Sequence, residues 1–169
     1  MKGQWIVDEL RQMASWGGLD PKQLRFFKAQ LDAARLVQCV RLEDVFTPEE
    51  LAIIRAEFHP QKKECYKNAT DFITFLMMRL GLYDAQYVEG LAESSVLNIE
   101  HAWNRVRGQY VDVTFELLFG DDNRERGYVS LVEMDYGDLV ELQAENGYYG
   151  DSFRTLYIKS LKNDGEVQS

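Results

Sequence analysis

The spacing of apolar residues changes once along this chain, near Gly81, and that change limits the folds open to it. Before Gly81 the apolar side chains recur every three or four residues, which is the period of helices that bury one face. Beyond it, several segments alternate apolar and polar side chains, as strands do. Helices followed by strands indicate the α+β class. We expect N-terminal helices followed by an antiparallel sheet packed on the helix that carries Cys65.

Capping signals help to bound the helices. Asp20-Pro21 and Thr47-Pro48 each place a capping side chain before a proline at the first helical position. Ala69, Phe72, Ile73 and Leu76 form an apolar stripe that should be buried, with Cys65 in the first turn of the same helix. The predicted helices are residues 5–16, 20–40, 47–58 and 64–80.

The second half predicts the sheet. Its predicted strands are residues 85–91, 99–106, 109–115, 128–134 and 154–159, with a short helix over 138–145. Arg107-Gly108 predicts a tight turn between two of these strands. The length predicts a single domain over residues 1–169, with a helical N-terminal region (1–60), a core (61–161) and a polar tail (162–169).

Charge limits the partners that this chain can bind. The formal net charge is −9, and residues 111–151 alone carry eleven acidic and two basic side chains. Such a surface repels phosphate, so we expect no direct binding to nucleic acid. A solvated acidic face is one interpretation; a docking surface for a basic protein partner, or a mimic of nucleic-acid charge, is another.

No apolar run approaches the roughly 20 residues that span a bilayer, so we expect no membrane partner.

The chain has two cysteines, Cys39 and Cys65, which are too few for a disulfide framework. The segment after Met1 lacks the apolar stretch and cleavage site of a signal peptide. These features favour a reducing, cytoplasmic setting, with a disulfide between the two cysteines as the alternative. Cys39 is predicted to lie in a helix and to pack in the core.

Three residues could carry nucleophilic chemistry. A cysteine acts as a thiolate, and a helix N-terminus or a nearby imidazole favours that form. Cys65 heads a predicted helix, and His101 lies on a predicted strand. If Arg107-Gly108 is a two-residue turn, Val106 pairs with Gln109, and Asp112 becomes the diagonal neighbour of His101 on the same face. An aspartate so placed can orient the imidazole.

These residues resemble the core of the transglutaminase-like superfamily, which shares the cysteine, histidine, aspartate order with papain-like proteases. The motifs are a cysteine at a helix start, a strand with His-Ala-Trp and a following Asp-x-Thr: Glu64-Cys65-Tyr66-Lys67-Asn68-Ala69, Tyr87-Val88-Glu89-Gly90, His101-Ala102-Trp103 and Val111-Asp112-Val113-Thr114. The resemblance covers about residues 61–115, roughly a third of the chain, and makes residues 61–161 a transglutaminase-like core.

The resemblance implies attack on an amide or acyl carbonyl through a thioester, with no cofactor. It makes Cys65 the nucleophile, His101 the base and Asp112 the orienting acid, acting on a protein, a peptide or a small amide. Hydrolysis, transfer and loss of activity all occur on this fold. The alternative is therefore a catalytically silent binding or inhibitor protein that acts through its acidic surface.

Further residues are candidates for the substrate or oxyanion site: Gln61, Asn68, Tyr87, Glu89 and Trp103. Gln61 precedes the cysteine, as the oxyanion donor of papain-like enzymes does, but a plain loop residue is the competing interpretation. Trp103 is expected in the core or the cleft wall. His59 could join the three candidate residues in a zinc site, yet no CxxC or HxxxH spacing supports one, and we predict no metal.

Overall fold

The computed structural model describes residues 2–95 and 97–165. Within these ranges it has seven α-helices and one six-stranded sheet. The helices are α1 (Gln4–Ser15), α2 (Pro21–Ala33), α3 (Pro48–Glu57), α4 (Cys65–Phe75), α5 (Val113–Phe119), α6 (Tyr136–Asn146) and α7 (Ser152–Asn163). The strands are β1 (Arg35–Val37), β2 (Cys39–Val40), β3 (Gln86–Glu93), β4 (Asn98–Val106), β5 (Gln109–Val111) and β6 (Tyr128–Met134). This architecture confirms the predicted α+β fold.

The sheet has the order β1-β6-β3-β4-β5-β2, and its neighbours are antiparallel except for the parallel pair β2 and β5. The central hairpin pairs β3 with β4 from Gln86↔Arg105 to Glu93↔Asn98. Strand β5 pairs only with residues 104–106 of β4. The first half of β4 therefore has no partner strand on its β5 side, and helices α4 and α5 contact β4.

Helix α4 packs on this sheet as predicted. Its stripe of Ala69, Phe72 and Ile73 is at most 1% exposed and adjoins Ala102 of β4 in the largest apolar cluster. The amide of Asn104 on β4 donates to the Ala69 carbonyl at 2.8 Å. Burial of these side chains against the sheet fixes the position of the helix and of its first residue.

The predicted helix starts at Pro21 and Pro48 are confirmed. The Asp20 carboxylate accepts the backbone N–H groups of Lys22 and Gln23 at 2.8 and 3.0 Å. Thr47 and Glu50 cap each other reciprocally at the start of α3. Helix α4 continues into a single wider turn, Leu76–Leu80, which ends at Gly81 with φ 65°. Glycine takes this left-handed conformation without steric cost.

The prediction that a helix continues to residue 40 is wrong. Helix α2 ends at Ala33, and the next residues form β1 and β2 at the two edges of the sheet. Cys39 therefore lies in a strand, although it is buried as expected. Pairing of β1 with β6 and of β2 with β5 overrides the local helical period. The N-terminal region is consequently not wholly helical.

Two predicted strands are helices in whole or in part. Strand β5 ends at Val111, and α5 follows because the Asp112 side chain caps it. The segment predicted as a strand over 154–159 lies within α7. Within α7, Phe153, Tyr157 and Leu161 recur every four residues, which is a helical spacing. Helix α7 reaches Asn163, so it includes the start of the predicted polar tail; residues 166–169 lie outside the described residues.

The acidic segment is not uniformly exposed. Asp112 and Glu116 are buried, and Asp121 and Asp122 form ion pairs with neighbouring arginines. The exposed carboxylates include three on α6: Asp138, Glu141 and Glu145.

Across residues 2–95 and 97–165, no helix combines the length and apolar character that crossing a bilayer requires.

Candidate active site

His101 and Asp112 meet where β5 ends. Val106 pairs with Gln109 across the Arg107-Gly108 turn, as predicted, so Asp112 follows the last paired residue of β5 and lies diagonal to His101. The His101 Nε2 atom is 2.7 Å from Asp112 Oδ2. Both side chains are buried, His101 at 2% exposure and Asp112 at 0%. A buried carboxylate at this distance holds the imidazole in one orientation.

Asp112 uses both carboxylate oxygens. Its Oδ1 accepts the Phe115 backbone N–H at 3.0 Å and so caps α5. Its Oδ2 accepts the Tyr128 hydroxyl at 2.9 Å in addition to facing His101. The Asn123 amide donates to the Asp112 backbone carbonyl at 3.0 Å. These bonds hold the carboxylate in place and offset the cost of burying it.

Stacking holds the other side of the imidazole. The Phe115 ring stacks on His101 with centroids 4.3 Å apart, and the Arg126 guanidinium lies 3.8 Å from the Phe115 centroid. Burial lowers the pKa of His101, but the charge and hydrogen bond of Asp112, followed by the same interactions with Cys65, outweigh it and raise that pKa to about 9. His101 is therefore an imidazolium at neutral pH.

Cys65 is the first residue of α4 and is half-buried. The preceding residue, Glu64, makes no side-chain cap. Instead the Asn68 side chain bonds both backbone groups of Gln61, each at 2.8 Å, and donates to the Thr114 hydroxyl at 3.2 Å. Asn68 thus links the loop before Cys65 to the start of α5, the helix that Asp112 caps.

Cys65 and Asp112 both act on the His101 imidazole. Hydrogen bonding and charge interaction with the Cys65 side chain contribute to the raised pKa of His101, after the larger effects of Asp112. Because Nε2 faces Asp112, Nδ1 is the ring nitrogen left for Cys65. The described residues contain no well-aligned hydrogen bond between the two side chains, and such loose contact is common in unliganded sites.

The turn between α6 and α7 packs over the start of α4. A Cβ atom added to Gly150 would lie 2.5 Å from the Tyr66 ring, so only glycine allows this approach. Gly150 and Asp151 both have positive φ, 87° and 58°. Burial, followed by the negative charges of Glu89 and Glu100, raises the pKa of Tyr66. The residue after the thiol therefore lies in tightly packed, acidic surroundings.

The remaining candidates have structural contacts. The Gln61 side chain is exposed and donates to the His59 carbonyl at 3.1 Å. Trp103 is 0% exposed and packs edge-on against Tyr128 with centroids 5.1 Å apart, which makes it a core residue rather than a cleft wall. Asn68 makes the hydrogen bonds to Gln61 and Thr114 described above.

Tyr87 and Glu89, which we expected at the cleft, lie in the interior at 0% and 6% exposure. The Tyr87 hydroxyl donates to Glu89 Oε2 at 2.7 Å, and the Phe153 backbone N–H donates to Oε1 at 3.3 Å. Burial raises the pKa of Glu89, against the effect of these hydrogen bonds. The pair connects β3 to the first turn of α7.

Both cysteines are free thiols, so the alternative of a disulfide is not observed. Cys39 is 0% exposed on β2, where burial, followed by the charge of Asp112, raises the pKa of its thiol well above the usual range. His59 is exposed in a loop. Among the described residues, no group of three or more His, Cys, Asp or Glu side chains could hold a metal ion.

Sequence reasoning missed four residues that hold the candidate site: Phe115, Asn123, Arg126 and Tyr128. Phe115 could have been found only if Asp112 had been recognised as a helix cap. Tyr128 starts a correctly predicted strand, but nothing local shows that its hydroxyl reaches Asp112. These contacts depend on the packing of segments distant in sequence.

The His101 pKa predicts how stability depends on pH. An ordinary histidine has a pKa of 6.5, and the folded value is about 9, so His101 contributes stability fully below about pH 6.5 and loses it as the pH rises through 9. Urea unfolding at pH 6, 7.5 and 9.5 measures this. Because the raised pKa of Cys39 also makes the free energy of unfolding fall as the pH rises, the wild type is compared with His101→Asn, which retains Cys39. An equal loss of stability in both proteins would contradict the assignment.

Comparison with family models, curated proteins and solved structures finds no match for this chain.

Proposed function

We propose that this protein is a cysteine-nucleophile hydrolase or acyltransferase that acts on an amide bond through a thioester. One observation carries the proposal: Asp112 holds a buried imidazole at 2.7 Å, and the half-buried thiol of Cys65 interacts with the same ring. A thiol, an imidazole and an orienting carboxylate are the parts that nucleophilic catalysis by cysteine requires. Their order in the chain and the His-Ala-Trp and Asp-x-Thr motifs also support membership of the transglutaminase-like superfamily.

In the proposed reaction the Cys65 thiolate attacks the amide carbon, and His101 donates its Nδ1 proton to the departing amine as the C–N bond breaks. A thioester remains on Cys65. Water or a second amine then attacks the thioester, His101 accepts the proton of that nucleophile, and the C–S bond breaks to release the Cys65 thiolate. Asp112 keeps Nε2 protonated throughout and stabilises the positive ring. Unpaired N–H groups in the first turn of α4 would stabilise the oxyanion.

The proposed substrate is a protein, a peptide or a small amide, each of which carries the amide bond that this chemistry requires. We propose a reducing compartment such as the cytoplasm, because the thiol must stay free to react.

A second candidate is a catalytically silent protein that binds a basic partner. The three exposed carboxylates of α6 favour it, since they lie on one short helix. Glu145 pairs with Lys159, but Asp138 and Glu141 form no ion pair among the described residues. In that case the Cys65, His101 and Asp112 cluster would not take part in the function.

Hydroxylamine trapping tests the reaction. Wild-type protein is incubated with a panel of glutamine-containing and lysine-containing peptides and with activated acyl esters, with and without hydroxylamine. We expect acyl-enzyme mass on Cys65 and hydroxamate product, because hydroxylamine intercepts a thioester. Cys65→Ala should form neither, whereas Cys39→Ala should behave as wild type. Absence of adduct and hydroxamate with every acyl donor would favour the binding-protein candidate.

A further inference from the structure

A large cavity lies away from Cys65, His101 and Asp112, between α1, α2 and α7 and the surface of β3 and β4. Its volume is about 990 Å³, at the upper end of the roughly 300–1,000 Å³ typical of small-molecule sites. The walls are largely apolar and include Leu10, Met13, Phe27 and Leu91. An apolar space of this size has room for a long hydrocarbon chain.

Gln30 supplies an unusual polar group in this cavity. It is the one buried residue of α2, at 6% exposure, in a helix whose larger apolar side chains are only partly buried. Gln30 lines the cavity, and its side-chain amide makes no hydrogen bond to any other described residue. The Gln30 amide is not among the buried polar atoms that lack a partner, so it keeps access to the cavity. An amide that faces a cavity and has no partner in the protein is suited to a ligand that carries its own hydrogen-bonding group.

The charges at the cavity differ from those of the whole chain. Lys22 and Arg25 are exposed on α2 and form no ion pair among the described residues, although the chain has a net charge of −9. Arg154 also lines the cavity and lies 4.5 Å over the Phe26 ring, but it pairs with Asp151 at 3.5 Å. The acidic residues lining the cavity are Glu9 and Glu100, and Glu9 accepts a hydrogen bond from Asn98. Lys22 and Arg25 are therefore the cations that suit an anionic head group.

Helix geometry sets the separation of these two features. Lys22, Phe26 and Gln30 recur every four residues, so they share one face of α2. Eight residues of helix span about 12 Å. The cationic end of the cavity and the unpaired amide are thus separated by about the length of a medium hydrocarbon chain.

We infer that this cavity binds an amphipathic carboxylate whose hydrocarbon chain carries a second polar group, a hydroxyl or carbonyl, about 12 Å from the carboxylate. Lys22 and Arg25 bind the carboxylate, Phe26 and the apolar walls enclose the chain, and the Gln30 amide bonds the second polar group. The site does not depend on the proposed reaction at Cys65, because none of the three candidate catalytic residues lines it.

Titration calorimetry with three matched probes tests this inference: 10-hydroxydecanoate, decanoate and 1,10-decanediol. We expect the hydroxy acid to bind at least tenfold more tightly than either of the others. The Lys22→Glu, Arg25→Glu double variant should lose that advantage over the diol. Lys28→Glu, an exposed charge reversal on the same helix outside the cavity, should bind as wild type does.

Gln30→Leu separates a binding role from a structural one. Replacing an amide that has no partner in the protein by an apolar side chain of similar size should leave the melting temperature of the unliganded protein equal or higher, while the preference for 10-hydroxydecanoate over decanoate disappears. A lower melting temperature would show that the amide supports the fold and would overturn its role in binding. No binding of the hydroxy acid to the wild type, or equal binding of all three probes, would overturn the site itself.

Discussion

At pH 6, iodoacetamide is expected to alkylate Cys65 and to leave Cys39 unmodified, with rates that differ by at least a hundredfold. His101 is positively charged at this pH because its pKa is about 9. A cation beside a thiol favours the reactive thiolate, and Cys65 is half-buried, so the reagent can reach it. Cys39 is 0% exposed, and its raised pKa keeps it protonated. Peptide mapping by mass spectrometry gives the two rates in one sample.

The chain supplies its own controls for this experiment. Cys39→Ala should keep the fast reaction, and Cys65→Ala should abolish it. His101→Asn should slow alkylation of Cys65 at pH 6 relative to the wild type. Alkylation of this variant should still be faster at pH 9 than at pH 6, because exposed thiols ionise at the higher pH. If Cys65 reacts only at alkaline pH in the wild type, the imidazole does not activate it. The binding-protein candidate would then be preferred.

The geometry of the candidate site was predictable to the extent that local rules determine it. Arg107 and Gly108 have φ of 51° and 78°, the paired positive values of a two-residue hairpin turn. That turn sets the register in which Val106 meets Gln109, and the register places Asp112 beside His101. The start of α4 followed in the same way from its apolar stripe. Each of these steps needed only a few neighbouring residues.

The rest depends on contacts between distant segments. Cys39 lies in a strand because β2 pairs with β5. Both strands are too short to show a recognisable alternation of apolar and polar residues in the sequence. Strand β5 ends before Asp112 because the Asp112 carboxylate caps α5. This cap overrides the alternating pattern that predicted a strand over residues 109–115. The Tyr128 hydroxyl reaches Asp112 only after β6 has joined the sheet. A single sequence carries no local signal for such pairings.

Asp112→Asn is expected to reduce turnover by roughly ten-thousandfold, the usual cost of losing the carboxylate that orients a catalytic histidine. The reason lies in the two oxygens of Asp112, each of which accepts a different donor. One receives the Phe115 N–H, and the other faces His101 and receives the Tyr128 hydroxyl. An asparagine has one oxygen and one NH₂ group, so it cannot satisfy both sides.

The better orientation for the fold keeps the asparagine oxygen on the Phe115 N–H, because that preserves the cap of α5. The NH₂ group then faces Nε2 of His101 and forces this nitrogen to act as an acceptor. The proton moves to Nδ1, next to Cys65, and the positively charged ring is no longer stabilised. We therefore expect the variant to stay folded while alkylation of Cys65 at pH 6 also becomes much slower.

Tyr128→Phe is the matched control, since it removes one donor to Asp112 and leaves the carboxylate itself. Its effect on turnover should be no more than about tenfold, in line with the loss of a single hydrogen bond of about 1 kcal/mol. Circular dichroism and thermal unfolding establish that both variants fold. A folded Asp112→Asn protein with wild-type alkylation and turnover would show that His101 does not depend on this carboxylate, and the proposed roles of both residues would have to be abandoned.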